Sequence, residues 1–341
     1  MSTSTALRLA FFGAGAAIGA GAAAILSRQK PSPSTVHTLP APAAPQGERL
    51  PDAILRTGPT GGLVVQDGLP VSKDVLRYGS PGPIADIITR KAYVAGYDRR
   101  LRHPSWTAEH LTASSITRSP GGGGDRGNST FKEDELIPVP FRARLADYFR
   151  SGYDRGHMVP AADAKSSQEA MDETFFLTNI APQVGAGFNR HYWAYLEEWC
   201  RRLTGTFADV YVFTVPLYLP RQNAEGKWHV NYEVIGNPPN VAVPTHFAKV
   251  VLGSKQPGGA DVSLGAFVLP NAIIPDEAPL ESFAVPVETV ERAAGLTLFP
   301  ESIKASAKQI CKTTRCDVMV RRFDDAQQQA RGPKALPAPR Q

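Results

Sequence analysis

Six runs of this chain have the composition of β-strands and only two have the spacing of helices, and this imbalance restricts the fold more than any other feature. The strand-like runs cover residues 92–98, 173–179, 208–219, 228–235, 245–252 and 261–269. They are rich in Val, Phe, Tyr and Thr, with turn residues between them. The clearest helix covers residues 191–203, where Tyr192, Tyr195, Leu196, Trp199, Cys200 and Leu203 share one apolar face. A shorter helix fits residues 287–294, closed by Gly295. Strands in runs with few helices predict an α+β fold rather than alternating βαβ units.

The chain has 341 residues, 42% of them hydrophobic, enough for one large core. That core is expected in a single domain over residues 51–324. Residues 1–47 contain no Asp or Glu, and Arg8, Arg28 and Lys30 are their only full charges. An acid-free stretch rich in Ala, Gly, Ser and Thr fits a mitochondrial targeting segment over residues 1–28. Residues 9–27 are also long enough to cross a bilayer as a helix, so a membrane anchor is the alternative. Residues 29–50, rich in Pro, Ser and Ala, read as a linker, and residues 325–341 as a disordered tail. The glycine-rich stretch 119–129 reads as a flexible surface loop. A net charge of +5 accommodates anionic partners without selecting one. Cys200 reads as core. Cys311 and Cys316 are close enough in sequence to pair, but two free thiols are the expectation.

Several chemistries are excluded by their missing signatures. The chain has no Walker phosphate loop, no His-Glu-x-x-His and no Gly-x-Ser-x-Gly. Two segments remain. The first is Asp154-Arg155-Gly156-His157. Neutral His157 can take a proton from water near pH 7, and Arg155 can hold phosphate oxygens as charge builds on them. Asp154 either orients His157 or satisfies a turn, and the segment alone leaves a structural histidine equally open.

The second segment begins at Asn189, which is either a helix N-cap or a neutral oxygen ligand. Glu197 and Arg201 are four residues apart and suit a surface ion pair as well as a site. In an α-helix all three would fall within about one third of the circumference, with Asn189 and Glu197 about 12 Å apart along the axis. One ion therefore cannot take both directly, and Glu197 would reach it through water or brace an arginine. A Mg²⁺ ion keeps several waters and needs few protein ligands. Elsewhere, His110, His191, His229 and His246 read as structural or exposed, His103 as a turn residue before Pro104, and Asp163 as a helix N-cap.

At these residues the chain resembles the DNA/RNA non-specific endonucleases of the ββα-metal type, and within them the endonuclease G branch. The likeness spans roughly residues 60–310, rests on Asp-Arg-Gly-His followed by the downstream Asn189, and takes in Tyr97-Asp98-Arg99-Arg100 and Phe141-Arg142-Ala143-Arg144-Leu145. It implies a ββα-metal fold with a central, mostly antiparallel sheet flanked by helices. It implies hydrolysis of DNA and RNA to 5′-phosphate ends with one Mg²⁺, for which Mn²⁺ can substitute. By the same resemblance His157 matches the general base and Asn189 the metal ligand. Arg155 matches the phosphate-binding arginine, Glu197 the acidic residue that reaches the metal through water, and Arg201 a second arginine at the nucleic acid. Asp154 is expected in support behind them. A homodimer, a mitochondrial address in the intermembrane space or at the inner membrane, and membrane association through the N-terminal segment complete the expectation.

Overall fold

The computed structural model describes Pro83 and residues 85–120 and 122–320. The expected targeting segment, linker and C-terminal tail lie outside the described residues. Strands β1 (Ala85–Thr89), β2 (Tyr93–Asp98) and β3 (His103–Leu111) form an antiparallel meander. A long excursion follows, through α1 (Leu145–Tyr148), β4 (Asp154–His157), α2 (Gln168–Glu173), β5 (Ile180–Gln183) and α3 (Trp193–Arg202). The chain re-enters the sheet as β6 (Asp209–Leu217). Two small ribbons come next, β7 (Arg221–Gln222) with β8 (Trp228–His229) and β9 (Val234–Ile235) with β10 (Val241–Ala242). Long strands β11 (His246–Ser254) and β12 (Val262–Pro270) are followed by β13 (Ala284–Val285), α4 (Val287–Ala294), α5 (Glu301–Ser306), β14 (Lys308–Gln309) and α6 (Ile310–Thr313).

The main sheet has eight strands in the order β1-β2-β3-β6-β11-β12-β13, with β14 also on β12. Every pairing is antiparallel except β12 with β14. This is the α+β arrangement expected: a central, mostly antiparallel sheet flanked by helices. Period-two side-chain alternation explains why β11 is buried nearly throughout. Phe247 and Val251 face a core shared with Leu196 and Trp199 of α3. Ala248, Val250 and Leu252 face a second core shared with Val287 and Val290 of α4. Helix α4 ends where the sequence indicated: Gly295 adopts φ 69° and its N–H closes on Glu291 O at 2.8 Å. A left-handed C-cap of this kind favours glycine.

Several expectations are corrected. Residues 173–179 are not a strand; they finish α2 and enter a 3₁₀ turn at Leu177–Asn179. The buried Asn179 amide bonds Val159 N and O and Thr174 O there, fixing a turn that side-chain propensity does not reveal. Residues 228–235 pair only at their two ends, and Trp228, Val230, Tyr232 and Val234 are exposed. His103 is not in a turn but opens β3 and is buried. The stretch 119–129 is pinned on its described residues: Gly124 N bonds Lys165 O, Asp125 N bonds Gln168, and Ser129 bonds Asp172. Cys311 and Cys316 form a disulfide rather than two free thiols, since the tight turn after α6 brings their Cα atoms to 5.2 Å. Cys200 is buried, as expected. Among the described residues no helix is long and apolar enough to cross a membrane. On that finding the expected membrane association, with the intermembrane-space or inner-membrane placement, is withdrawn; residues 9–27 themselves lie outside the described residues.

Candidate active site

Strands β4 and β5 form a two-stranded antiparallel hairpin apart from the main sheet. Its register sets Asp154 opposite Gln183, Gly156 opposite Ala181 and His157 opposite Ile180. A Cβ at position 156 would lie 2.0 Å from Gln183 Oε1, so only glycine fits beneath that buried side chain. Neither amide atom of Gln183 has a hydrogen-bond partner among the described residues.

His157 is 7% exposed at the end of β4. Its ring lies 4.8 Å from Phe175 and 5.3 Å from Phe131, centroid to centroid. Two guanidinium groups lie over those rings: Arg155 at 4.3 Å from the centre of Phe131 and Arg126 at 5.5 Å from that of Phe175. Burial, then the charges of Arg126 and Arg155, hold the imidazole down to about 3, so it is neutral at physiological pH. Nε2 is buried and has no hydrogen-bond partner among the described residues. Nδ1 is the nitrogen left to accept a proton, and the burial and cations that keep the ring neutral also make it a weak base until a bound phosphate offsets them. Arg126 was missed in the sequence, because nothing in a glycine-rich stretch separates an arginine aimed at a site from ordinary loop charge.

The helix on the other side begins earlier than its apolar spacing indicates. Residues Gly185–Tyr192 lead into α3 through a kink, with Ala186 at ψ 138° and Gly187 at φ 82° outside helical geometry and Asn189 N bonding Val184 O at 2.9 Å in a wide turn. Gly187 permits this entry, at φ 82° with Ile273 packed against it. Asn189 is therefore inside a wide turn and is not an N-cap. Its Nδ2 donates to Asp154 Oδ2 at 2.9 Å, while Arg190 donates twice to the same carboxylate at 2.7 Å. Asp154 thus orients Asn189 rather than His157. Although partial burial opposes it, the hydrogen bonds from Arg190 and Asn189 hold Asp154 below its ordinary value.

This geometry tests the implied metal. With its nitrogen fixed on Asp154, the planar Asn189 amide presents Oδ1 in the opposite direction, a hard oxygen donor that fits Mg²⁺ or Mn²⁺. A second grouping, Glu281 with Cys311 and Cys316, offers no thiolates because the two sulfurs are bonded to each other.

Glu197 and Arg201 both lie on α3 but do not form the surface pair that was open in the sequence. Loss of water raises the Glu197 carboxyl to about 7, against the opposing charges of Lys249 and Arg201. Arg201 is turned inward, its side chain 12% exposed. Its Nη1 meets Asp163 at 2.6 Å, and its Nε and Nη2 meet Glu198 at 3.1 and 2.9 Å. Asp163 ends the 3₁₀ turn Ala161–Asp163 and is a salt-bridge partner, not a helix N-cap. With its guanidinium so engaged, Arg201 ties α3 to the turn that carries Asp163.

Comparison with known proteins agrees with this geometry. The profile of the DNA/RNA non-specific endonucleases matches residues 71–304. The chain is 52% identical over 255 residues to "Nuclease 1, mitochondrial" of Schizosaccharomyces pombe, covering 74% of this chain and 78% of that one. It is 44% identical to "Endonuclease G, mitochondrial" of Homo sapiens, covering 67% and 73%. Among solved structures, a chain from the EndoG/EndoGI complex superposes with a TM-score of 0.60 at 45% identity, covering 69% of this chain and 93% of its own. The hairpin that carries His157 and the helix that follows it are consistent with the ββα-metal nuclease fold, and the chain belongs to the DNA/RNA non-specific endonuclease family, as a nuclease closely related to mitochondrial endonuclease G.

Proposed function

We propose that this nuclease hydrolyses phosphodiester bonds in both DNA and RNA with one Mg²⁺ held at Asn189 and His157 as general base, leaving 5′-phosphate ends. The observation that carries the reading is the neutral imidazole of His157 beside two arginines, with Nε2 shut off from solvent and Nδ1 left to face a substrate. Water attacks phosphorus as its proton passes to Nδ1; the bond to the 3′ oxygen breaks, and that oxygen takes a proton from solvent as it leaves. Arg155, exposed beside the base, holds the phosphate, and Arg126 adds a second positive charge near His157. Asp154 keeps Asn189 oriented, and Glu197 sits behind the site on α3. The ion supplies Lewis-acid stabilisation of charge on the phosphate and leaving oxygen; Mn²⁺ satisfies the same oxygen donor.

A mitochondrial address, which the names of several relatives carry, and a homodimer, which the family resemblance implies, form part of this proposal. The test is cleavage of plasmid DNA and of an RNA transcript by the full chain. EDTA should abolish both activities and Mg²⁺ restore them. His157→Ala should lose about 10²- to 10⁴-fold in kcat, the usual weight of a general base. Undiminished cleavage by His157→Ala, or cleavage indifferent to EDTA, refutes the mechanism.

A further inference from the structure

The sheet face beneath α3 carries a buried polar row that the chemistry above does not use. Thr107, Thr214 and Lys249 lie in register across β3, β6 and β11, and all are buried. The Lys249 ammonium donates to Thr214 Oγ1 at 2.8 Å and lies 4.9 Å from the centre of the Trp193 ring. Glu109 stands two residues along β3, so it shares that face. It is 5% exposed, and its Oε2 has no hydrogen-bond partner among the described residues. The Asp163 carboxyl, six residues after His157 in the chain, meets both Glu109 and the Arg201 guanidinium.

Stability alone does not account for this cluster. Taking charged groups out of water costs several kcal/mol each, and well-packed apolar residues of similar volume often do as well or better. What the cluster fixes is relative position. His157 and Glu197 sit on different elements, a hairpin strand and a helix. The link between those elements runs from the turn after His157, through Asp163, to Arg201, one helical turn from Glu197. Glu109 backs that link from the central sheet.

We propose that Glu109 is a positioning residue of this nuclease, holding Asp163 against Arg201 and so fixing Glu197 relative to His157. The inference rests on the mechanism proposed above. Two carboxyl groups in hydrogen-bond contact need a proton between them. Burial, with Asp163 alongside, raises Glu109 well above the ordinary carboxylate range. The pair, holding one proton between its two carboxyls, keeps one negative charge to face Arg201.

The experiment compares the full-length wild type with Glu109→Gln, Glu109→Leu and His157→Ala on plasmid DNA with Mg²⁺, measuring kcat, KM and Tm. Glutamine still donates to Asp163 and should keep kcat within about twofold, whereas leucine should lose about 10- to 100-fold in kcat with KM nearly constant, as expected for sub-ångström misplacement of a catalytic group. Full activity in Glu109→Leu overturns the proposal, as does an equal loss in Glu109→Gln. Should Glu109→Leu not fold, Glu109→Asp, which shortens the reach by one methylene, replaces it under the same criteria. His157→Ala separates the two claims: if it is inactive while Glu109→Leu is fully active, only the positioning role falls. If His157→Ala remains active, the mechanism itself falls.

Discussion

Asp154 is the residue on which two elements converge. One carboxylate, in the strand that bears His157, receives the Asn189 amide and both arms of Arg190. Outer partners of this kind typically change metal affinity by about 10- to 100-fold when removed. Asp154→Ala should therefore raise the Mg²⁺ concentration for half-maximal cleavage by about that factor, and saturating Mg²⁺ should recover much of the rate. A titration showing unchanged Mg²⁺ dependence would remove Asp154 from the metal site. The sequence pointed to Asp154, Arg155, His157, Asn189 and Glu197, because a compact motif and a polar helix edge survive without coordinates. It did not show what Asp154 touches, since a contact across 35 residues leaves no local pattern. Arg126 was invisible for the same reason, and Arg201 was legible as a charge but not in its direction.

Elements were legible where one period dominates. The long strands β6, β11 and β12 announce themselves through their Val- and Phe-rich composition between turns, and helix α4 through helical spacing and a left-handed glycine cap. The entry at Gly185–Tyr192 did not, because the non-helical backbone at Ala186 and Gly187 breaks the α spacing before it can be read. His103 opens β3 with Nδ1 donating to Pro104 O and Nε2 accepting from the Tyr218 hydroxyl at 2.5 Å. Burial lowers its pKa from 6.5 to about 4. A folded-state value below the unfolded one means the unfolded chain binds the proton first, so stability is complete above about pH 6.5 and is lost as pH falls toward 4. The shift corresponds to about 3 kcal/mol. Urea denaturation should show the wild type losing about that much more than His103→Phe between pH 7 and pH 4, the difference cancelling groups common to both. Parallel pH profiles would contradict the buried neutral histidine.

At the scale of the whole molecule, the sheet separates two cores and the site sits on the α3 side. The α+β class was readable from the balance of strands and helices, but the strand order was not, because β3 pairs with β6 across the entire excursion that carries the site. The disulfide closes the C-terminal end of this arrangement. Cys316 is buried in the core shared with α3, Trp199 Nε1 donates to Arg315 O at 2.8 Å, and Arg202 donates to Asp317 O at 2.6 Å. A loop this short contributes about 2 kcal/mol by restricting the unfolded chain. Reduction should lower the unfolding free energy by about that amount in chemical denaturation, and Cys311→Ser should match the reduced wild type. Identical unfolding curves with and without reductant would show that the bridge adds nothing to the fold.

The hairpin also sets where this nuclease can change. Position 156 lies under the Gln183 side chain, with no room for a single added carbon while that side chain stays in place. A laboratory selection that recovers a side chain at 156 should therefore recover a change at 183 with it: the two strands hold one joint volume, and the glycine gives way only as its partner does.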